Sequence, residues 1–283
     1  MPEPPPPSFA APTLVVHAGT DIAAFCLGGA GPLVLLLHAT GFHGRCWLPL
    51  AETLTPHYTV WTIDQRGHGQ SGKAPPYDWT TFRDDALAVV DALGGGPMAA
   101  VGHSMGGAVA ILAEQEQPGT FDRMYCYEPI VMPPGRRTGG PDLATLARKR
   151  RDVFPSREAA RANYVSKPPF STFSPDALDA YVTYGFADQP EGTVTLSCRR
   201  DDEASVYENS GNHQAFDALD RVSAPVWVAR GGPTSNIPAE WQDAVVERLP
   251  RGHAAVFEDL SHFGPMEDPQ RVGKAVVEAF RGV

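Results

Sequence analysis

A serine between two glycines lies where a predicted strand meets a predicted helix. Residues 102–106 read GHSMG, after the apolar strand pattern 98–101 and at the start of the helical pattern 105–115. A sharp strand-to-helix turn strains the backbone of its central residue, so the residues two before and two after it must be small. The helix amino terminus behind the turn favours developing negative charge. We therefore expect Ser104 to be a nucleophile.

A serine hydroxyl is a weak nucleophile unless a base accepts its proton. Among the nine histidines of the chain, His262 follows the last predicted strand, in a loop at the same edge of the predicted sheet as Ser104. His38 and His68 lie in loops that we expect them to brace, and His103 adjoins the serine on a turn where neighbouring side chains point apart. We expect His262 to be the base.

The elements that position these residues alternate between strand and helix. This alternation predicts an α/β fold with a mostly parallel sheet, and the continuous apolar run 33–37 is typical of a strand buried on both faces. Segments 13–17 and 22–27, joined by a short polar link, predict a hairpin. The other predicted strands are 58–63, 98–101, 124–127, 226–229 and 254–257, and the predicted helices of the core are 79–93, 105–115, 239–249 and 269–280.

Residues 133–222 interrupt the alternation, because they contain no convincing buried strand and several polar helical patterns. The helical candidates are 142–153, 157–164, 175–186 with Ser174 as its N-cap, and 201–207. Such an insertion between two core strands predicts a lid, with a separate helical domain as the alternative. The predicted organisation is a flexible proline-rich tail at 1–12, a core formed by 13–132 and 223–283, and a helical cap at 133–222.

Composition narrows the class of partner. The 23 basic and 33 acidic residues give a net charge of −10, which argues against binding to nucleic acid or to an anionic membrane. No apolar run is long enough to span a bilayer. The four scattered cysteines form no CxxC pair, and with no secretory signal the chain is expected to be cytoplasmic with buried free thiols. No spacing indicates a metal site or a cofactor, and none predicts a particular oligomeric state.

Four ordered motifs carry a resemblance to a known family. Segments 38–42 (HATGF), 64–71 (DQRGHGQS), 102–107 (GHSMGG) and 261–265 (SHFGP) closely resemble the α/β-hydrolase superfamily. The resemblance covers the chain apart from the tail and is weakest over 133–222. It implies the α/β-hydrolase fold, a central sheet flanked by helices with an inserted helical cap, and a triad in the chain order serine, acid, histidine.

The acid departs from the commonest pattern of that family. Many members carry an aspartate shortly after the seventh core strand, and here Ser235 occupies that position. Some members place the acid after the sixth core strand, where this chain has Glu128, held by Pro129 at the mouth of an apolar strand. We expect Glu128 to orient His262. The alternatives are that Glu128 binds backbone amides structurally and that Asp259, or no residue, pairs with the histidine.

An acyl-transfer site also needs donors for the carbonyl oxygen as it becomes negative. We expect the backbone amide of Met105 to be one donor, and the resemblance implies that Thr40 supplies the other. The expected substrate-binding residues are Phe42, His103, Phe170, Tyr181 and Phe263, the third and fourth of which belong to an aromatic group on the lid (Phe170, Phe173, Tyr181, Tyr184 and Phe186).

These residues favour a small molecule with a medium-sized hydrophobic acyl or aryl group as the substrate. The alternative for Tyr181 and Tyr184 is the packing face of a helix. The basic run 148–151 is typical of a solvated face, and binding of a substrate carboxylate is the alternative. The predicted activity is hydrolysis of a carboxylic ester, lactone or thioester without a cofactor. The rivals are a carbon–carbon bond hydrolase with the same triad and a ligand-binding protein that keeps the fold without turnover.

Overall fold

The computed structural model describes residues 9–136, 139–232 and 237–282, and within these ranges eleven strands form two sheets. The strands are β1 (Leu14–His17), β2 (Asp21–Gly28), β3 (Leu33–Leu37), β4 (Thr59–Ile63), β5 (Met98–His103), β6 (Phe121–Tyr127), β7 (Val153–Phe154), β8 (Phe186–Asp188), β9 (Val194–Leu196), β10 (Val226–Gly231) and β11 (Gly252–Phe257). The helices are α1 (Leu48–Leu54), α2 (Trp79–Ala92), α3 (Met105–Glu116), α4 (Gly140–Lys149), α5 (Arg157–Val165), α6 (Pro175–Tyr184), α7 (Arg200–Glu208), α8 (Ala239–Arg248), α9 (Gly264–Glu267) and α10 (Pro269–Arg281).

The central sheet has the order β1-β2-β4-β3-β5-β6-β10-β11. The first two pairings are antiparallel, in line with the predicted hairpin, and the other five are parallel. This confirms the predicted α/β fold. Because the carboxyl ends of parallel strands meet at one edge, the loops after β3, β4, β5, β6 and β11 converge there. His103 is in register with Tyr127, so the residues that follow these two strands are neighbours.

Two hydrophobic cores, one on each face of the sheet, explain the apolar run of β3. Val34 and Leu36 face the core that includes α1 and α10, whereas Leu35 and Leu37 face the core that includes α2, α3 and α8. All four side chains are buried. A strand covered on both faces needs apolar residues at every position, not at alternate ones.

The inserted region is not purely helical. Helices α4 to α7 form most of it, but β7, β9 and β8 form a small antiparallel sheet in that order. The prediction of no strand within 133–222 is therefore wrong. Strands of two or three residues are too short to show a period of two in the sequence, and this sheet depends on packing between the rings of Phe154 and Phe186, whose centroids lie 5.7 Å apart.

The flexible tail predicted for residues 1–12 does not extend as far as residue 12. Phe9 packs against the core, and its carbonyl oxygen accepts a hydrogen bond from Arg45 Nη1 at 3.1 Å. Ala10 O accepts one from Gln70 Nε2 at 2.5 Å. Residues 9 and 10 are therefore held against the folded core by the side chains of Arg45 and Gln70. Residues 1–8 lie outside the described ranges.

The cysteines agree with their predicted state, since all four are free and Cys46, Cys126 and Cys198 are buried. Among the residues described, no helix combines the length and apolar character needed to cross a lipid bilayer. The same ranges contain no group of three or more His, Cys, Asp or Glu side chains arranged to hold a metal ion.

A buried ion pair fixes the loop that follows β4. Asp64 accepts hydrogen bonds from the amides of Gly44 and Gln70, each at 2.7 Å, and from Arg45 Nη2 at 3.0 Å. The side chains of the pair are 1% and 0% exposed, and the guanidinium lies 4.2 Å from the centroid of the Phe25 ring. Burial alone would raise the pKa of Asp64, but the Arg45 charge and these donors hold it below its ordinary value.

We expect Asp64→Asn to lower the free energy of unfolding by about 3–5 kcal/mol, because the Arg45 charge would be left buried without its counter-charge. Asp84→Asn is the control, since Asp84 is 60% exposed and pairs with Arg83 at the surface. Its effect should not exceed about 1 kcal/mol. Urea denaturation at pH 7 measures both, and equal losses would contradict the importance of the buried pair.

Candidate active site

The expected nucleophile lies on a strained turn between β5 and α3. Ser104 has φ 54° and ψ −115°. A Cβ on Gly102 would lie 2.5 Å from Gly107 Cα, and a Cβ on Gly106 would lie 2.0 Å from Leu37 O, so neither position accepts a side chain. The glycines of the motif are therefore required by close backbone contacts, as the sequence indicates.

The expected acid contacts the expected base. Glu128 follows β6, is fully buried, and its Oε2 lies 2.7 Å from His262 Nδ1. Its Oε1 accepts a hydrogen bond from the Gly231 amide at 2.8 Å. With Nδ1 donating to the carboxylate, the His262 Nε2 lone pair is left to accept a proton. The two interpretations of Glu128 are thus not exclusive, because it binds a backbone amide and the histidine together.

The rival acid is engaged elsewhere. Both carboxylate oxygens of Asp259 lie 2.7 Å from Arg271 Nη1, and the Asp259 side chain is 66% exposed. The other position considered, Ser235, falls in residues 233–236, outside the described part of the chain.

The backbone is strained at the expected nucleophile and at the expected acid. Within the described ranges, Ser104 and Glu128 are the non-glycine residues with positive φ, at 54° and 44°. Such conformations cost roughly 1–3 kcal/mol each and persist only where the surroundings impose them. Here the Ser104 amide donates to Tyr127 O at 2.9 Å and the Glu128 amide donates to Ala229 O at 2.7 Å. Sheet hydrogen bonding therefore holds both residues in place.

The loop that carries His262 is tied down on both sides of the histidine. His103 Nε2 lies 2.7 Å from His262 O, and Tyr127 Oη donates to Ser261 O at 2.8 Å. The Ser261 amide donates to Glu267 Oε2 at 2.7 Å. His103 is buried and does not line the two cavities described below, and its role as a substrate-binding residue stays a prediction.

The loop after β3 is braced by two buried neutral histidines. His38 Nε2 accepts from the Gln65 amide at 2.9 Å, and its Nδ1 lies 2.7 Å from Ala39 O. His68 Nε2 accepts from the Gly41 amide at 3.0 Å. Burial lowers the pKa of His38 to about 4 and that of His68 to about 3, so both rings keep the lone pair that accepts these bonds. The bracing role predicted for them is confirmed.

The two residues expected to supply the oxyanion donors are in contact through their side chains. Thr40 Oγ1 is 3.4 Å from Met105 Sδ, and Thr40 lines the same cavity as Ser104. Met105 is the first residue of α3, and the amides of a first helical turn have no acceptor within the helix. Both amides therefore suit the role, which stays a prediction.

Two adjoining cavities lie beneath and beside the cap. The inner one, of about 150 Å³, contains Ser104 and His262, and the outer one is about 600 Å³. Five residues line both cavities: Thr40, Phe42, Leu143, Tyr207 and Phe263. A substrate with its reactive carbonyl at Ser104 can therefore extend along the wall of the outer cavity.

The structure brings four of the expected substrate-binding residues to these cavities. Phe42 and Phe263 line both, whereas Phe170 and Tyr181 line the outer one. The other lid aromatics lie elsewhere: Phe173 and Phe186 are in the hydrophobic core, and Tyr184 lies against the Arg45 guanidinium. The further residues of the inner cavity were not predicted from the sequence, since they come from separate elements with no shared pattern: Trp79, Ile130, Leu143, Tyr207, Ser210, Ile237 and Trp241.

The chain is similar over most of its length to known proteins. Residues 34–275 match the model of the alpha/beta hydrolase family. The chain is 36% identical over 254 residues to Lipase LipV of Mycobacterium tuberculosis, covering 88% of this chain and 94% of that protein. It is 33% identical over 253 residues to (E)-2-((N-methylformamido)methylene)succinate hydrolase of Acinetobacter baylyi, covering 88% and 90%.

A solved structure shows the same fold. The crystal structure of E-2-(acetamidomethylene)succinate hydrolase superposes with a TM-score of 0.81 and 22% sequence identity, covering 94% of this chain and 97% of that one. At this level of identity the likeness concerns the fold alone.

The buried histidines predict a pH dependence of stability. Burial lowers the pKa of His43, like that of His38, to about 4, whereas histidines in an unfolded chain titrate near 6.5. Below pH 6.5 the unfolded state therefore binds protons that the native state does not, so the free energy of unfolding falls, by up to about 1.4 kcal/mol per pH unit for each histidine.

Urea denaturation between pH 7.5 and 5.0 measures this slope. His43→Gln should reduce the slope of the free energy of unfolding against pH by the contribution of one histidine. His17→Gln should leave the slope unchanged, because the His17 side chain is 76% exposed. A free energy of unfolding that stays constant from pH 7 to 5 would contradict the assignment of these rings as neutral in the native state.

Proposed function

The chain belongs to the alpha/beta hydrolase family and is a hydrolase, and we propose that it cleaves a carboxylic ester, lactone or thioester through an acyl-enzyme, with Ser104, His262 and Glu128 as its triad. One observation carries the proposal: a fully buried Glu128 lies 2.7 Å from Nδ1 of the histidine that shares a cavity with Ser104. That arrangement has the roles of nucleophile, base and orienting acid.

In the first half of the reaction His262 Nε2 takes the Ser104 hydroxyl proton while Oγ attacks the substrate carbonyl. Negative charge develops on the carbonyl oxygen, and the Met105 and Thr40 amides would bind it, each contributing about 3 kcal/mol to the transition state. The imidazolium then protonates the leaving alcohol or thiol. The products of this half are the free leaving group and an acyl-enzyme on Ser104.

In the second half a water molecule gives a proton to the same Nε2 and attacks the acyl carbonyl. Collapse of this intermediate returns the proton to Ser104 and releases the carboxylic acid. Glu128 stabilises the imidazolium in both halves, because its charge lies next to Nδ1 in a place that water does not reach. Every proton is accounted for by the triad and one water molecule.

The substrate is proposed to be a small molecule with an apolar acyl or aryl part. Phe42, Phe263 and Trp79 line the inner cavity, whose volume of about 150 Å³ suits a short acyl group. The name of one relative, a lipase, supports an ester as the bond that is cleaved.

We expect Ser104→Ala to abolish the pre-steady-state burst with p-nitrophenyl acetate and butyrate and to lower kcat by about 10⁴-fold or more, because no acyl-enzyme can form. Stopped-flow absorbance measures the burst. No burst with any ester from folded wild-type protein would contradict the proposal. Cleavage of a β-diketone would then identify a carbon–carbon bond hydrolase, and ligand binding without turnover would identify a binding protein.

A matched pair of variants tests the acid. Glu128→Gln keeps the shape and an oxygen for the Gly231 amide but removes the charge beside His262, so we expect kcat to fall by about 10³-fold or more. Asp259→Asn removes the rival carboxylate and should leave kcat within a factor of about two, since Asp259 is bound to Arg271 at the surface. The reverse pattern in steady-state kinetics would move the acid to Asp259.

A further inference from the structure

The side chains that line the outer cavity carry a net positive charge. Three cations line it, Arg150, Arg151 and Lys167, and among its described lining residues the one carboxylate is Glu203. The chain as a whole has a net charge of −10. Cations are therefore in excess beside the expected catalytic cavity, although the protein as a whole is acidic. Such an excess favours the binding of an anionic ligand.

Arg150 and Glu203 neutralise each other. Arg150 Nη1 lies 2.6 Å from Glu203 Oε2, and the side chains are 22% and 4% exposed. Arg150 Nη2 also donates to the hydroxyl groups of Tyr164, at 3.2 Å, and Tyr181, at 2.7 Å. This pair is an ordered part of the cavity wall and adds no net charge, so the surplus comes from the other two cations.

Arg151 and Lys167 have no carboxylate partner within the ranges that the structure describes. The Arg151 guanidinium lies 4.4 Å from the Phe154 ring centroid, with Nε donating to Val153 O at 2.9 Å, which leaves both Nη groups for a ligand. Lys167 Nζ donates to Asn163 Oδ1 at 2.8 Å, and Asn163 lines the cavity as well. Two partly oriented cationic groups thus line the outer cavity.

The contrast with the rest of the cap is informative. Four of its other surface arginines are paired with acidic side chains: Arg148 with Glu208, Arg157 with Asp188, Arg161 with Asp179 and Arg200 with Asp152. Lys149 is exposed but does not line the cavity. Within the described part of the cap, the cations that line the cavity without a carboxylate partner are therefore Arg151 and Lys167.

We propose, on the basis of the function proposed above, that the outer cavity binds a carboxylate carried by the substrate, with Arg151 and Lys167 as the binding groups. The reactive carbonyl lies at Ser104, and the body of the substrate runs along the shared wall formed by Phe42, Leu143 and other residues. The substrate class is an ester, lactone or thioester that bears a second, ionised carboxyl group on an apolar chain. Guanidinium and ammonium groups are the side chains that bind carboxylates.

Two esters of equal length separate charge from size. The p-nitrophenyl half-ester of glutaric acid differs from p-nitrophenyl pentanoate by a carboxylate in place of the terminal methyl group. The measured quantity is the ratio of kcat/KM for the half-ester to kcat/KM for the pentanoate. We expect Arg151→Gln and Lys167→Gln each to lower this ratio by about two- to fivefold, the range for partly exposed ion pairs.

Lys149→Gln is the control, because it removes the same charge from an exposed residue of the cap that does not line the cavity, and it should keep the wild-type ratio. The wild-type ratio should also fall at 0.5 M NaCl, where screening weakens exposed charges. A ratio that is the same in wild type, Arg151→Gln and Lys167→Gln would overturn the proposal. Stronger inhibition of pentanoate hydrolysis by inorganic phosphate than by glutarate would overturn the assignment to a carboxylate.

The two proposals fail in different ways. Ester hydrolysis that depends on Ser104 but shows no effect of Arg151 or Lys167 on the ratio contradicts the carboxylate site alone. Hydrolysis that Ser104→Ala leaves unchanged contradicts the triad alone. In that event calorimetric titration of Ser104→Ala with glutarate still tests the site, since Lys167→Gln in that background must weaken binding and Lys149→Gln must not.

Discussion

The contact between Glu128 and His262 is the interaction on which the rest of this site depends. A carboxylate with no solvent exposure is costly unless donors surround it, and two of its donors are the Gly231 amide at 2.8 Å and His262 Nδ1 at 2.7 Å. These donors come from the end of β10 and from the loop after β11, whereas Glu128 directly follows β6. The strand order β6-β10-β11, with all three strands parallel, is therefore what makes the contact possible.

Backbone strain, and the hydrogen bonds that compensate for it, lie at the same edge of the sheet. Ser104 and Glu128 both have positive φ, and each is held by an amide hydrogen bond to the next strand. The glycines around Ser104 let α3 approach the end of β3, and the buried Asp64–Arg45 pair fixes the neighbouring loop. A rigid core thus offsets the cost of holding two residues in unfavourable conformations.

The core and the cap contribute different properties. The core supplies the expected nucleophile, base, acid and amide donors, all from loops at one edge of the sheet. The cap supplies most of the outer cavity, including Tyr181, which contacts Arg150 in the cap and whose carbonyl oxygen lies 3.1 Å from His43 Nε2 in the core. The expected catalytic groups and most of the lining of the outer cavity therefore come from separate parts of the chain.

Local patterns suffice to predict Ser104 as nucleophile, His262 as base, the bracing histidines and the alternation of strands and helices, because turn chemistry and hydrophobic period are properties of neighbouring residues. The prediction of Glu128 as the acid needs the family resemblance together with its position after an apolar strand, and its contact with a histidine distant in sequence depends on sheet order. The short cap strands, the burial of His103 and the residues lining the inner cavity likewise arise from packing between distant segments. The same holds for the basic run 148–151, where only the tertiary structure decides that Arg148 and Arg150 meet carboxylates while Arg151 faces the cavity.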